Sequence, residues 1–195
     1  MTFRLGLTGS IGMGKSTTAR LFADHGHPVW DADSAVHRLY APGGAAVGPV
    51  AALFPAALVG GGIDRAALKT AIAADPHALS RLESVVHPLV AADRADFLAR
   101  HDDAALVVLD IPLLFEGGRP EGLDGVAVVS TDAATQRARV MARPGMTDAT
   151  LAMILARQMP DAEKRARADW IIPTDTPETA AAAVARIIDE VTSHA

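Results

Sequence analysis

The chain of 195 residues is 50% hydrophobic and 21% charged, with a formal net charge of −5; it is long enough for a substantial core and too acidic for a broad nucleic-acid surface. Any site for an anionic substrate must therefore be a local basic pocket. The absence of cysteine excludes disulfides, thiolate metal sites and thiol nucleophiles, so oxygen, nitrogen and bound metal must supply the chemistry.

Short apolar runs alternate with segments of helical period, which predicts an α/β fold: a parallel sheet covered by helices. The opening Met1-Thr2-Phe3-Arg4 runs into a first strand candidate at Phe3–Thr8, too short and glycine-rich for a signal peptide, and the protein is expected in the cytoplasm. A helix at Lys15–Asp24 follows, then a turn where His25 and His27 flank Gly26, then a second strand at 28–31. Residues 34–100 separate the second and third strands, far longer than an ordinary connection, and predict a mostly helical subdomain with helices at 79–86 and 89–100. Its longest uncharged run, 41–63, contains Pro42, Pro49, Pro55, Gly60, Gly61 and Gly62, so it reads as loops around a short helix and not as a membrane span. Strands at 105–110 and Gly125–Ser130, helices at 133–142 and 148–157, a strand at 170–172 and a helix at 178–192 complete the series. Asp132 and Thr176 are the expected N-caps of two of these helices. Met153 and Met159 read as core packing, and no histidine–carboxylate cluster has zinc spacing.

Between the first strand and first helix lies Gly9-Ser10-Ile11-Gly12-Met13-Gly14-Lys15-Ser16, which fits G-x-x-x-x-G-K-[ST] at every fixed position. Glycines allow backbone N–H groups to converge on a phosphate at a helix N-terminus, whose partial positive charge favours anions. Lys15 is expected to reach the β- and γ-phosphates, Ser16 to coordinate Mg²⁺, and Thr17 to support the α-phosphate. The Rossmann pattern fails, because Thr17 stands where its last glycine is required.

A phosphate loop alone fits a switch, a motor or a kinase. No N-K-x-D guanine signature occurs. The second strand ends in Trp30-Asp31-Ala32-Asp33, placing carboxylates at the carboxyl edge of the sheet, where one can accept a hydroxyl proton or hold a metal-bound water. Asp31 reads equally well as a helix cap. Asp110 ends the third strand and reads either as a helper of the metal's water shell or as a turn former. Arg137, Arg139 and Arg143, with Arg157 one helix later, read on their own as a solvated helix face. His87 on its own reads as a buried histidine at a helix end, because Pro88 disfavours helix at residue 87.

Taken together the motifs resemble the dephospho-CoA kinase family. Leu7-Thr8-Gly9-Ser10-Ile11-Gly12-Met13-Gly14-Lys15-Ser16-Thr17 is similar to its L-T-G-G-I-G-S-G-K-S-T, and Asp31-Ala32-Asp33 to its second-strand D-A-D. Asp64-Arg65 with Leu68, Glu83-Ser84-Val85-Val86-His87-Pro88-Leu89-Val90, and Asp110-Ile111-Pro112-Leu113-Leu114-Phe115-Glu116 resemble further family elements, as do Arg139 through Arg143, Gln158-Met159-Pro160, Lys164 and Ala168-Asp169. The resemblance implies a P-loop NTPase fold, a three-layer doubly wound parallel sheet of about five strands. Its core would span 1–33, 101–135 and 168–195, with a helical substrate subdomain over about 34–100 and a lid over about 136–167.

The resemblance also implies transfer of phosphate from ATP, with Mg²⁺, to the ribose 3′-hydroxyl of dephospho-CoA, the last step of coenzyme A biosynthesis. Lys15, Asp33 as base and Arg139 would be catalytic. Gly9, Gly12, Met13, Gly14, Lys15, Ser16, Thr17 and Arg143 would bind ATP, and Asp33, His87, Pro112 and Leu113 would bind dephospho-CoA. Arg137 would stay on the surface. Partners would be these small molecules, without nucleic acid or membrane; the oligomeric state stays open. Ser10 and Met13 depart from the pattern, with side chains expected to point outward. Ile172-Pro173-Thr174-Asp175-Thr176 stands where the family has I-D-N-x-G, so adenine contacts would differ there. The alternative is another small-molecule kinase, acting on a nucleoside, nucleotide or shikimate-like acceptor, against which the histidine-proline and P-L-L-F-E elements count. A nucleotide-dependent switch without an acceptor is a third reading, disfavoured by the missing N-K-x-D and by the long helical insertion.

Overall fold

Leu5 and Leu7 are fully buried, and their neighbours Gly6 and Thr8 are buried too, so β1 (Phe3–Thr8) is covered on both faces. The same holds along all of β5 (Leu106–Asp110) and β6 (Gly125–Ser130). Strands buried on both faces read as continuous apolar runs and belong to a parallel sheet between layers. In the computed structural model, which describes residues 2–118 and 122–193, they lie at the centre of a five-stranded sheet. With β2 (Val29–Asp31) and β7 (Trp170–Pro173) the order is β2-β5-β1-β6-β7. β1 runs parallel to β5 with Leu5 opposite Val108 and to β6 with Leu7 opposite Ala127, and β6 runs parallel to β7. Residue 1, residues 119–121 and residues 194–195 of the expected core lie outside the described residues.

The pleat divides the core. Leu5, Leu7, Leu106, Val108, Ala127, Val129 and Ile172 face α1 (Lys15–Asp24) and α9 (Pro177–Thr192), meeting Ala19 and Phe22 of the one and Ala180, Val184 and Ile187 of the other. Val126 and Val128 point to the opposite face and pack with Leu114, Phe115, Leu123 and Ala168. α8 (Asp161–Ala166) also contacts β6. α6 (Ala133–Met141) and α9 start as their caps predict: Asp132 accepts from Thr135 N at 2.9 Å, and Thr176 forms a capping box with Thr179. α7 (Asp148–Leu155) is capped by Thr147, whose hydroxyl accepts from Thr150 N at 3.1 Å.

The chain divides into two compact units, one of residues 1–30 with 101–195 and one of Asp31–Arg100. The second unit contains α2 (Ala32–Tyr40), α3 (Val47–Leu53), a one-turn 3₁₀ helix at Pro55–Ala57, a hairpin of β3 (Leu58–Val59) and β4 (Gly62–Ile63), then α4 (Arg65–Ala74) and α5 (Ala78–Ala99). Leu39, Val50, Phe54, Leu68, Leu82 and Val86 form its own core. The run 41–63 is therefore loops around a short helix, as expected, with an added hairpin. Among the described residues no helix is long and apolar enough to cross a membrane.

One boundary differs. The expected break at His87-Pro88 is absent, and α5 continues through Pro88 for 22 residues. Proline deletes one i to i−4 hydrogen bond, but Leu82 and Val86 before it and Leu89 and Val90 after it pack on the same core, and burial on both sides holds the helix together.

Candidate functional site

The loop between β1 and α1 is shaped by close approach. A Cβ on Gly9 would stand 2.3 Å from Val129 Cγ2 and 2.9 Å from the Val129 carbonyl, so only glycine lets the chain cross β6 there. Gly14, with φ of 91°, occupies the left-handed region and caps α1 without any side-chain hydrogen bond. The first turn of α1 carries no acidic residue. The N–H groups of Lys15, Ser16 and Thr17 thus open a helix N-terminus with no side chain of its own competing for them, the condition for anion binding.

Side chains brace this loop from three directions. The Ile11 N–H donates to Gln158 Oε1 at 3.1 Å and its carbonyl accepts from Gln136 Nε2 at 2.8 Å. The Met13 carbonyl accepts from Thr174 Oγ1 at 2.7 Å. Met13 and Ser10 are both buried, which corrects the expectation that their side chains point outward. Met13 belongs to the buried cluster that holds Leu5, Ala19 and Ala180, and its sulfur accepts from Thr131 N at 3.3 Å. A long unbranched side chain here is an anchor of the loop in the core.

Lys15 Nζ is ion-paired with Asp110 Oδ1, so the buried carboxylate at the end of β5 receives the loop lysine. Ser16 and Thr17 are exposed. Arg139, in the last turn of α6, donates from Nη1 to Thr174 Oγ1 at 3.1 Å and from Nη2 to the Thr174 carbonyl at 2.5 Å. Arg143 is exposed. Gly12, Gly14, Thr17, Arg139, Arg143 and Thr174 line a cavity of about 350 Å³, a size that suits a small-molecule ligand. The structure thus brings Gly12, Gly14 and Thr17 of the loop together with Arg139 and Arg143. Arg137 remains on the surface, bidentate with Asp148.

The loop after β5 contributes the other expected residues of this unit. The Pro112 carbonyl accepts from Thr8 Oγ1 at 3.2 Å, and Leu113 is exposed, while Leu114 is buried on the sheet. Glu116, ending that loop, accepts from Met159 N at 2.8 Å and pairs at 2.7 Å with Lys164, which is wholly buried. Burial opposes the Glu116 charge, but bonds from Lys164 and the Met159 N–H overcome it and hold its carboxyl below the usual range. This pair fixes residue 159 and hence the neighbouring Gln158 that grips Ile11. Met159 is half-buried, but Met153 is 54% exposed, contrary to its reading as core.

In the second unit Asp31 caps α2, accepting from Ser34 N at 2.6 Å, and Asp33 stands exposed in the first turn, two residues past the end of β2. His87 is exposed in the middle of α5, which overturns its reading as a buried histidine at a helix end: the unbroken helix turns it to solvent. A cavity of about 370 Å³ within this unit is lined by His37, Tyr40, Val59, Ile63, Asp64 and Arg65, the last two being the pair that resembles a family element. There the Arg65 guanidinium lies 6.0 Å from the Tyr40 ring centre. Among the described residues no group of three or more histidines and carboxylates could hold a metal.

Gln136 and Thr174 are the site residues that sequence reading missed. Gln136 follows an N-cap like any helix residue. Thr174 lies in a segment that departs from the family pattern, so only its contacts reveal it.

The model of the family described as dephospho-CoA kinase matches residues 3–179. A dephospho-CoA kinase of Cereibacter sphaeroides is 64% identical over 186 residues, covering 95% of this chain and 94% of the relative. One from Jannaschia is 56% identical over 192 residues, covering 98% of each. Among solved structures, TT1252 of Thermus thermophilus superposes with a TM-score of 0.83 at 37% identity, covering 96% of both chains. The dephospho-CoA kinase of Campylobacter jejuni, 22% identical over 98% of both chains, shares the fold with a TM-score of 0.69. With the family's model spanning all five strands of the sheet and the phosphate loop, and relatives matching over at least 94% of either chain at more than half of the aligned positions, this chain belongs to the dephospho-CoA kinase family.

Proposed function

We propose that the protein transfers the γ-phosphoryl group of ATP to the ribose 3′-hydroxyl of dephospho-CoA, giving coenzyme A and ADP, the closing step of coenzyme A biosynthesis. Full-length identity of 56–64% to dephospho-CoA kinases carries this reading. Phosphoryl transfer asks a protein to position reactants and neutralise charge. The loop amides from Gly9 to Thr17 cradle the phosphates, with Lys15 moving from Asp110 onto the β- and γ-oxygens. Arg139 and Arg143 meet the charge that spreads over the transferred group. The nucleoside occupies the 350 Å³ cavity beside Thr174.

The exposed Ser16 hydroxyl and the Asp110 carboxylate beside Lys15 are hard oxygen donors of the kind Mg²⁺ takes, and the ion would neutralise the β- and γ-oxygens. Asp33 accepts the proton of the acceptor hydroxyl, supported by its exposed carboxylate just past a strand's carboxyl end. We read the unit Asp31–Arg100 as the acceptor subdomain, to which Asp33 and His87 belong; Pro112 and Leu113 are likewise read as acceptor-binding residues, and residues of about 136–167 as the lid. The same reading keeps the enzyme in the cytoplasm, where a chain without cysteine loses nothing to a reducing environment.

The test is ADP release from pure protein and Mg-ATP with dephospho-CoA, adenosine or AMP as acceptor. Release should follow dephospho-CoA alone. Turnover on adenosine or AMP would establish a different kinase, and turnover without acceptor a nucleotide-driven regulator.

A further inference from the structure

Thr174 is 6% exposed and lies just beyond β7, where its N–H donates to the Ser130 carbonyl at 2.9 Å and ties its backbone to β6. Its single hydroxyl proton points to the Met13 carbonyl at 2.7 Å, in preference to the Ser130 carbonyl at 3.4 Å. That leaves the hydroxyl lone pairs to accept from Arg139 Nη1 at 3.1 Å, while the Thr174 carbonyl accepts from Nη2 at 2.5 Å. One buried hydroxyl therefore donates to the phosphate loop and accepts from the arginine.

Two consequences follow from peptide geometry and donor counting. In a trans peptide the C=O and N–H point in opposite directions, so fixing the Met13 carbonyl toward Thr174 fixes the Gly14 N–H away from it. A guanidinium has five N–H donors in a rigid fork. Thr174 engages two of its nitrogens and sets the plane of the fork, leaving further donors for phosphate. The contact is tight as well: the Thr174 Cβ and Oγ1 lie 3.2 Å from where a Cβ on Gly14 would be, so the residue touches the loop directly.

We propose that Thr174 is a positioning residue: through its hydroxyl it locks the Met13–Gly14 peptide of the phosphate loop and the Arg139 guanidinium into one fixed arrangement for phosphoryl transfer. The proposal rests on the reading of Arg139 as a cation that meets the transferred phosphoryl group. Thr174 does not itself touch the reacting atoms.

Valine matches threonine in shape but can neither donate nor accept, while serine keeps the hydroxyl. Steady-state kinetics with ATP and dephospho-CoA should show Thr174→Val losing roughly ten- to a hundredfold in kcat, the scale of one hydrogen bond to a charged group. KM for dephospho-CoA should stay within about twofold. Thr174→Ser should recover most of the rate. In an Arg139→Ala background Thr174→Val should cost much less than it does in the wild-type chain, because the arginine through which it acts is gone. Thermal melts identify any variant that fails to fold; should Thr174→Val be one, Thr174→Ala, which also removes the hydroxyl, carries the comparison, with Arg139→Ala again as background. A wild-type rate in Thr174→Val would overturn the proposal. So would an equal loss in both backgrounds, which would make the residue a brace of the loop alone. Full activity of Arg139→Ala would overturn the reading of Arg139 and the proposal with it, whereas an impaired Arg139→Ala beside an unimpaired Thr174→Val would overturn the proposal only.

Discussion

Asp31 and Asp33, two residues apart, are assigned separate work. Asp31 spends its carboxylate on the Ser34 N–H and starts α2; losing such a cap costs about 1 kcal/mol of stability. Asp33 is exposed two residues later, in the first turn of α2. Asp33→Asn is therefore expected to lower kcat roughly a hundredfold or more, with KM for ATP within a factor of about three, and to leave the thermal midpoint near that of the wild type. An unchanged kcat would remove Asp33 as the base. The loop motif was readable at this scale because its residue types answer to one chemistry, a backbone wrapped around phosphate. Met13 and His87 were misplaced because exposure is set by neighbours: Met13 is drawn under Thr131 and into the core, and His87 is turned outward by a helix that does not break.

At the scale of elements, the five strand candidates matched within a residue, since apolar runs buried on both faces leave little else to be. α2, α4, α8 and the β3–β4 hairpin were not resolved individually, being short and dependent on packing. α5 is the instructive case. Its Pro88 is exposed and costs the helix a hydrogen bond to residue 84. Pro88→Ala should restore that bond and raise unfolding stability by about 1–3 kcal/mol, read as a higher urea midpoint with unchanged slope. A fall in stability would mean that proline's restriction of the unfolded chain outweighs the missing bond. If the acceptor needs the local geometry proline imposes, the stabilised variant will also show a raised KM for dephospho-CoA.

Across the whole molecule, the buried Lys164–Glu116 pair links the loop after β5 to the turn that holds Gln158 on the phosphate loop. Lys164→Met should cost about 3 kcal/mol, the low end for a broken buried pair because Glu116 keeps 17% of its side chain exposed. Glu116→Gln with Lys164→Met should recover part of that loss, and chemical denaturation of both variants measures it. Because the folded state holds Glu116 below its ordinary value of 4.5, its contribution is complete above that pH and is lost as pH falls through the lower, folded-state value. Glu116→Gln should flatten the acid limb of stability below about pH 4.5; an unaltered limb would exclude this carboxyl as its source. The sequence by itself determined the sheet and the phosphate loop, because apolar strand runs and a backbone-made anion site are local properties written in neighbouring residues, and its motifs carried the resemblance to the family. Only the tertiary structure decided that Thr174, Gln136 and Gln158 brace the loop and that Lys164 is buried against Glu116. Those partners lie between 48 and 161 residues apart, and nothing local to a threonine, a glutamine or a lysine says which distant carbonyl or carboxylate folding will bring to it.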